Sequence, residues 1–204
     1  MANVLGSLAP GMLIAAPPLG DPNFDRTVVL LAVHGDEGAL GFVVNRVAPM
    51  RLGELLVLAG YGDGGISDST PVYLGGPVEP SSGWIVCLDP ALSGGVPGVI
   101  AVGDRVRVTS TKTAFAELVH DVESSSTGAT DHVDPQRRMV VLGYSGWGPG
   151  QLEGEIAAGA WLPVPLDEGV LFDVALDDKW EQAYALLGVT PAGMMSMQHP
   201  IGEA

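Results

Sequence analysis

Gly143-Tyr144-Ser145-Gly146-Trp147 places a serine between glycines, close to the pattern on which serine hydrolases build a nucleophile. That elbow needs G-x-S-x-G, because small residues must flank the serine if a strand is to turn sharply into a helix and expose the hydroxyl. Trp147 stands at the last position and would crowd the turn, so Ser145 reads as a small turn residue. Gly146, Gly148 and Gly150 precede a helix-like run and could offer free N–H groups to an anion. Their spacing matches neither G-x-x-x-x-G-K-[ST] nor G-x-G-x-x-G, no lysine follows, and Glu153 and Glu155 already put negative charge at the helix start. The stretch reads as a strand-to-helix corner anchored by Tyr144 and Trp147.

Metal chemistry has two candidate clusters, His120-Asp121 and Asp131 to Asp134 with His132 inside it. Neither has H-x-x-x-H or EF-hand spacing, so both read as solvated acidic segments, and no metal or other cofactor is expected. Cys87, the single cysteine, allows no intrachain disulfide and ends an apolar strand, where it reads as a small buried hydrophobe. The tryptophans Trp84, Trp147, Trp161 and Trp180 read as core or interface anchors first and pocket walls second. Asn45 and Arg46 end an apolar strand abruptly, at the kind of position where sheets place ligand groups. Arg46 has two readings, an anion or a core carboxylate such as Asp21, and the scarcity of positive charge favours the carboxylate.

These residues need elements to hold them. Arg26 to Asn45 carries two β-branched apolar runs around a Gly and Asp turn, a hairpin whose consecutive apolar positions imply cover on both faces. Leu52, Leu55, Leu56 and Ala59 predict a short helix stopped by Gly60. Strands are expected at Val72 to Leu74, Trp84 to Leu88, Val99 to Val102, Val106 to Thr109 and Met139 to Tyr144. Phe115, Leu118, Val119 and Val122 predict a helix capped by Ser110 or Thr111. Trp161 to Val164 and Gly169 to Phe172 read as extended, and a last helix is expected from about Asp177 to Leu187. Tyr61 to Thr70 and Glu123 to Gln136 read as loops, the second a mobile one.

With 204 residues, 47% of them hydrophobic and 16% charged, the chain can bury a core as one domain. A formal charge of -15 disfavours direct nucleic-acid binding and an anionic membrane surface. No basic n-region precedes Arg26 and no apolar run reaches spanning length, so a cytoplasmic location is expected.

Four segments together resemble the AlgH/YqgE family of bacterial proteins. "LIAAPPLGDPNFDRTVVLL" is similar to its L-I-A-x-P-x-L-x-D-P-x-F-x-R-[ST]-V-V opening, and "HGDEGALGFVVNR" to its H-x-x-x-G-A-x-G-x-[VI]-[VI]-N-[RK] hairpin. "VYLGGPVEPSSGW" resembles L-G-G-P-[VL] followed by an aromatic-led strand, and "LGYSGWGPGQLEGEIAAGAWL" resembles G-Y-x-x-W-x-x-G-Q-L-E-x-E-I with A-W-L beyond it. The order holds from about Leu13 to Gly188. Val47 replaces a common proline, Val86-Cys87 replaces a usual Leu-His, and Ser145 stands where the family often has alanine.

The resemblance implies an α+β fold: a strongly bent, partly barrel-like open sheet of mixed but largely antiparallel strands with helices packed around it. The chain length predicts one such domain over residues 1–204, and the Met-rich tail from Gly193 is expected to fray. Family members are labelled transcriptional regulators, and with this charge a regulator would act indirectly, through a protein or small-molecule ligand. The expected function is a non-enzymatic regulatory or binding protein, with contacts at Arg26, Asn45, Arg46, Gly75, Gly76, Trp147 and Gln151. The alternative is a small-molecule hydrolase or transferase using Ser145 or Glu155.

Overall fold

The computed structural model describes residues 6–17, 20–61, 70–88, 97–125 and 137–198. β1 (Gly11–Ala15) is followed by the expected hairpin, β2 (Val28–Gly35) and β3 (Gly38–Val43). Its turn requires glycine: Gly38 has φ of 120°, and a Cβ there would collide with the Trp147 carbonyl. β4 (Val47–Arg51) runs into α1 (Leu52–Leu58), whose first turn is closed by Glu54 accepting the Arg51 N–H at 3.0 Å. β5 (Pro71–Leu74) and β6 (Val78–Leu88) come next, then the tight pair β7 (Val99–Val102) and β8 (Val106–Thr109). Arg107 stiffens the turn between them by donating to the Gly103 and Asp104 carbonyls. α2 (Lys112–Ser125) begins where Thr111 Oγ1 accepts the Ala114 N–H, so of the two expected caps Thr111 is the one used. The remaining elements are β9 (Arg138–Trp147), α3 (Gln151–Ala157), β10 (Trp161–Pro165), a π-helical turn (Gly169–Asp173), α4 (Lys179–Ala185) and α5 (Pro191–Gln198).

Two local expectations are corrected. The glycine-rich stretch is not a corner from Gly143 onward, because β9 stays extended to Trp147 and only Pro149 and Gly150 turn. Pairing supplies what composition did not: Ser145, Gly146 and Trp147 lie opposite Gly41, Leu40 and Ala39 of β3. Gly169 to Phe172 is helical, not extended, since Val174 N–H reaches back to the Gly169 carbonyl and Asp167 Oδ1 caps the Val170 N–H. The expected loops fall largely on residues 62–69 and 126–136, outside the described residues, as does the Asp131 to Asp134 cluster.

Among the described residues all ten strands belong to one sheet that curls into an open half-barrel, in the order β10-β1-β2-β3-β9-β6-β8-β7, with β4 and β5 attached at the side. Every pairing among the described strands is antiparallel except β5 with β9. β9 is the shared element. Its first half pairs with β5 and its second half with β3, while β6 pairs with β9 along most of its length.

Alternating side chains divide the sheet into two covered faces. One cluster draws on strands from both ends of the sheet, including Met12, Leu30, Phe42, Val86, Val108 and Val141, and thus fills the inside of the curl. Trp180, Ala183 and Tyr184 of α4 join it. The outer face carries two clusters, one under α1 and α2 around Leu52, Leu56, Val72, Val140 and Leu118, the other around Leu13, Val29, Trp147, Leu152 and Trp161. The consecutive burial of Val28, Val29, Leu30 and Leu31 follows from this two-sided cover.

Candidate functional site

The segment Asp21–Arg26 is mostly exposed, yet it is held at many points. Asp21 Oδ1 accepts the Asn23 N–H at 2.8 Å, and the Asp21 carbonyl accepts from the Phe24 and Asp25 N–H groups. Asn45 works as an inserted peptide unit: Oδ1 accepts the Val28 N–H and Nδ2 donates to the Arg26 carbonyl, both at 2.9 Å. Arg46 clamps the same loop by donating to the Pro22 carbonyl at 2.6 Å and the Asp25 carbonyl at 2.9 Å. The expected Arg46 to Asp21 ion pair is therefore replaced by backbone contacts. The reason is that Asp21 has turned its carboxylate onto its own loop.

Arg26 ends the loop in the left-handed region with φ of 53°, an unusual conformation for a side chain of this size. Its guanidinium lies 4.8 Å from the Trp180 ring centroid and 3.4 Å from Glu181 Oε1. Trp180 and Tyr184 in turn both donate to the Ala15 carbonyl, which ties α4 to the end of β1.

On its inner side the loop inserts Phe24 against Trp147 and Trp161, with ring centroids 6.4 and 5.3 Å apart. The two indoles meet edge to face at 5.8 Å and share one acceptor. Glu155 Oε2 takes the Trp147 Nε1–H at 2.9 Å and the Trp161 Nε1–H at 2.7 Å, while Oε1 takes the Gln151 amide at 2.8 Å. Gln151 Oε1 closes the chain by accepting the Gly148 N–H. Next to this corner, His34 Nδ1 accepts the Leu8 N–H, which puts the ring proton on Nε2, 3.2 Å from Glu153 Oε1 but outside hydrogen-bond geometry.

Gly75 and Gly76 lie where β5 hands its place beside β9 to β3. The Gly75 carbonyl accepts from the Val43 N–H and from the Ser145 hydroxyl at 3.0 Å, and the Gly75 N–H donates to Leu142. Cβ atoms at Gly75 and Gly76 would strike the Gly143 and Tyr144 carbonyl oxygens, so close backbone approach requires glycine at both.

The candidate residues thus fall into two groups. Arg26, Asn45 and Arg46 surround the loop, with Trp147 and Gln151 joined to it through Phe24; Gly75 and Gly76 sit at the strand crossing. Ser145 is 1% exposed with its proton directed at a carbonyl, and Glu155 meets three donors. Sequence reasoning missed Phe24, Trp161 and Trp180 as loop supports, and Glu155 as the acceptor of two indoles. Only the i, i+4 spacing of Gln151 and Glu155 was available as a local signal. Among the described residues no group of three or more His, Cys, Asp or Glu side chains is placed to hold a metal ion, and no helix is long and apolar enough to cross a membrane.

A curled α+β half-barrel with a side-chain-clamped loop beside an indole-carboxylate corner is the class of molecule these features define. Residues 12–192 match the AlgH-like family, and the chain belongs to it. A UPF0301 protein of Anaeromyxobacter dehalogenans strain 2CP-C is 38% identical over 193 residues, covering 92% of each chain. One from Allorhizobium ampelinum is 37% identical over 194 residues, covering 92% of this chain and 90% of its own. The solution structure of the AlgH protein from Pseudomonas aeruginosa superposes with a TM-score of 0.71 at 28% identity, over 100% of both chains. A Corynebacterium diphtheriae protein, with a TM-score of 0.62 at 19% identity over 90% of this chain and 88% of its own, shares the fold.

Proposed function

We propose that this AlgH-like chain is a cytoplasmic, non-enzymatic binding protein that regulates indirectly, through a protein or small-molecule partner. The observation that carries this reading is the loop Asp21–Arg26, exposed to solvent yet fastened by Asn45 and Arg46 and backed by Phe24 on two indoles. A surface segment ordered in advance loses little conformational freedom on binding. The left-handed Arg26 adds to the case, because residues held in sparsely populated backbone regions cluster at binding sites. Ser145 and Glu155 support the same side of the choice, since each is committed to hydrogen bonds that hold the fold.

The test pairs a metabolite thermal-shift screen with a turnover screen on generic ester and phosphate substrates. A ligand that stabilises the wild type, and stabilises Arg26→Glu markedly less, is the expected result. Turnover that Ser145→Ala or Glu155→Gln abolishes in a folded protein would overturn the reading in favour of a hydrolase.

A further inference from the structure

His34 is the one buried histidine among the described residues, and its two ring nitrogens face different partners. Nδ1 accepts the Leu8 N–H at 3.1 Å, which requires that nitrogen to be unprotonated. Nε2 then carries the hydrogen. It is buried without a hydrogen-bond partner among the described residues, although Glu153 Oε1 lies 3.2 Å away. Buried donors are nearly always paired, and a donor left unpaired beside a carboxylate needs an explanation.

A second proton on the ring changes both sides at once. Imidazolium has two donors and no acceptor, so Nδ1–H would face the Leu8 N–H donor against donor. Nε2–H would meanwhile face a carboxylate able to accept a charge-assisted bond. Among the described residues Glu153 is the charged group that pairs with the ring. Asp36 and Glu37 of the following turn make no ion pair with it, Glu155 of α3 is taken up by Gln151 and two indoles, β3 places Ala39 opposite His34, and the segment Ser7–Ala9 carries no charge. The segment is the looser of the two sides. Gly6 and Ser7 are exposed, and both hydrogen bonds that tie the segment to β2 among the described residues end on His34: Leu8 N–H to the ring, and Ser7 Oγ to the carbonyl at 3.2 Å. Leu8 and Ala9 pack on the outer-face cluster that holds Trp147, Leu152 and Trp161.

We infer that His34 is a pH-operated latch: neutral, it holds Ser7–Ala9 over the indole corner, and protonated, it exchanges Leu8 for Glu153 and releases the segment, uncovering that side of the cluster. Histidine is the side chain whose change of charge falls between about pH 5 and 8, so the exchange belongs to that interval. The latch shares no hydrogen bond with the loop Asp21–Arg26 and stands independently of the function proposed above.

The test is NMR of 15N-labelled protein between about pH 8 and about pH 5. At the upper limit a coupling through the hydrogen bond should join the Leu8 amide nitrogen to His34 Nδ1, with the ring proton on Nε2. As the ring takes up its second proton the coupling should vanish, and Leu8 amide exchange, corrected for the intrinsic effect of pH, should quicken about tenfold, the factor expected for one hydrogen bond. Glu153→Gln leaves the imidazolium without a carboxylate and should require a more acidic solution for the same change. His34→Gln offers an oxygen to the Leu8 N–H that does not titrate, so Leu8 should stay protected at both limits. The inference is overturned by a coupling absent at the upper limit, by one that survives protonation, or by a ring still neutral at the lower limit; these three need only the wild type and decide even where a variant does not fold. A transition that Glu153→Gln leaves in place, or exchange that quickens equally in a folded His34→Gln, overturns it as well.

Discussion

Glu155 accepts two indole N–H groups and an amide, so one carboxylate positions Trp147, Trp161 and the start of α3 together. Trp147 and Trp161 are 6% and 2% exposed, and water cannot readily replace the acceptor. Glu155→Ala leaves two donors unpaired at about 1–3 kcal/mol each and should lower unfolding free energy by about 3 kcal/mol in urea titrations. Glu155→Gln retains an oxygen and should cost less than half as much. Equal losses in the two variants would show that packing of the side chain, not its acceptor role, matters. Ser145 is the parallel case. A serine between glycines invites a catalytic reading until its hydroxyl is seen bonded to the carbonyl of a residue 70 positions away.

At the scale of elements, the end of β3 and the loop before β2 form one unit joined by Asn45 and Arg46. Arg46→Ala removes two charge-assisted bonds to carbonyls, and solvent exposure discounts each, so about 1–2 kcal/mol should be lost. Amide exchange should quicken at Phe24 to Thr27 before it quickens in β2. Uniform quickening across β2 and β3 would mean that Arg46 supports the sheet and not the loop. The same unit shows what could be read beforehand. The apolar runs of β2 and β3, the helical spacing of α1 and the short strands β7 and β8 were legible because each rests on local periodicity. The strand conformation of Ser145 to Trp147 was not, since it comes from pairing with β3, more than 100 residues earlier in the chain. The same holds for Arg46, whose acceptors are carbonyls that have no signature in residue type.

For the whole molecule, buried ionisable groups set a pH profile. Lys179 is 2% exposed with Nζ donating to the Leu171 carbonyl at 2.6 Å, and burial lowers its pKa from 10.5 to about 8, against a partial opposing pull from Asp173. Between about pH 8 and 10.5 the unfolded chain holds the extra proton, so stability rises with pH, by at most about 3 kcal/mol. Tyr184, pushed up to about 12 by burial, acts oppositely: above pH 10 the unfolded phenol ionises first and stability falls. Urea midpoints should climb from pH 8 to about 10 and then decline. Lys179→Met should flatten the climb and spare the decline; a climb that persists would assign it to another group.

β9 has an implication for synthesis on the ribosome. Three strands made much earlier, β3, β5 and β6, all take β9 as a neighbour, and none of the three pairs with another of them. Until residue 147 has cleared the exit tunnel, each carries an open hydrogen-bonding edge that only β9 can fill. A nascent chain stalled before Arg138 would therefore expose three unpaired edges at once, and all three close only in the final third of translation.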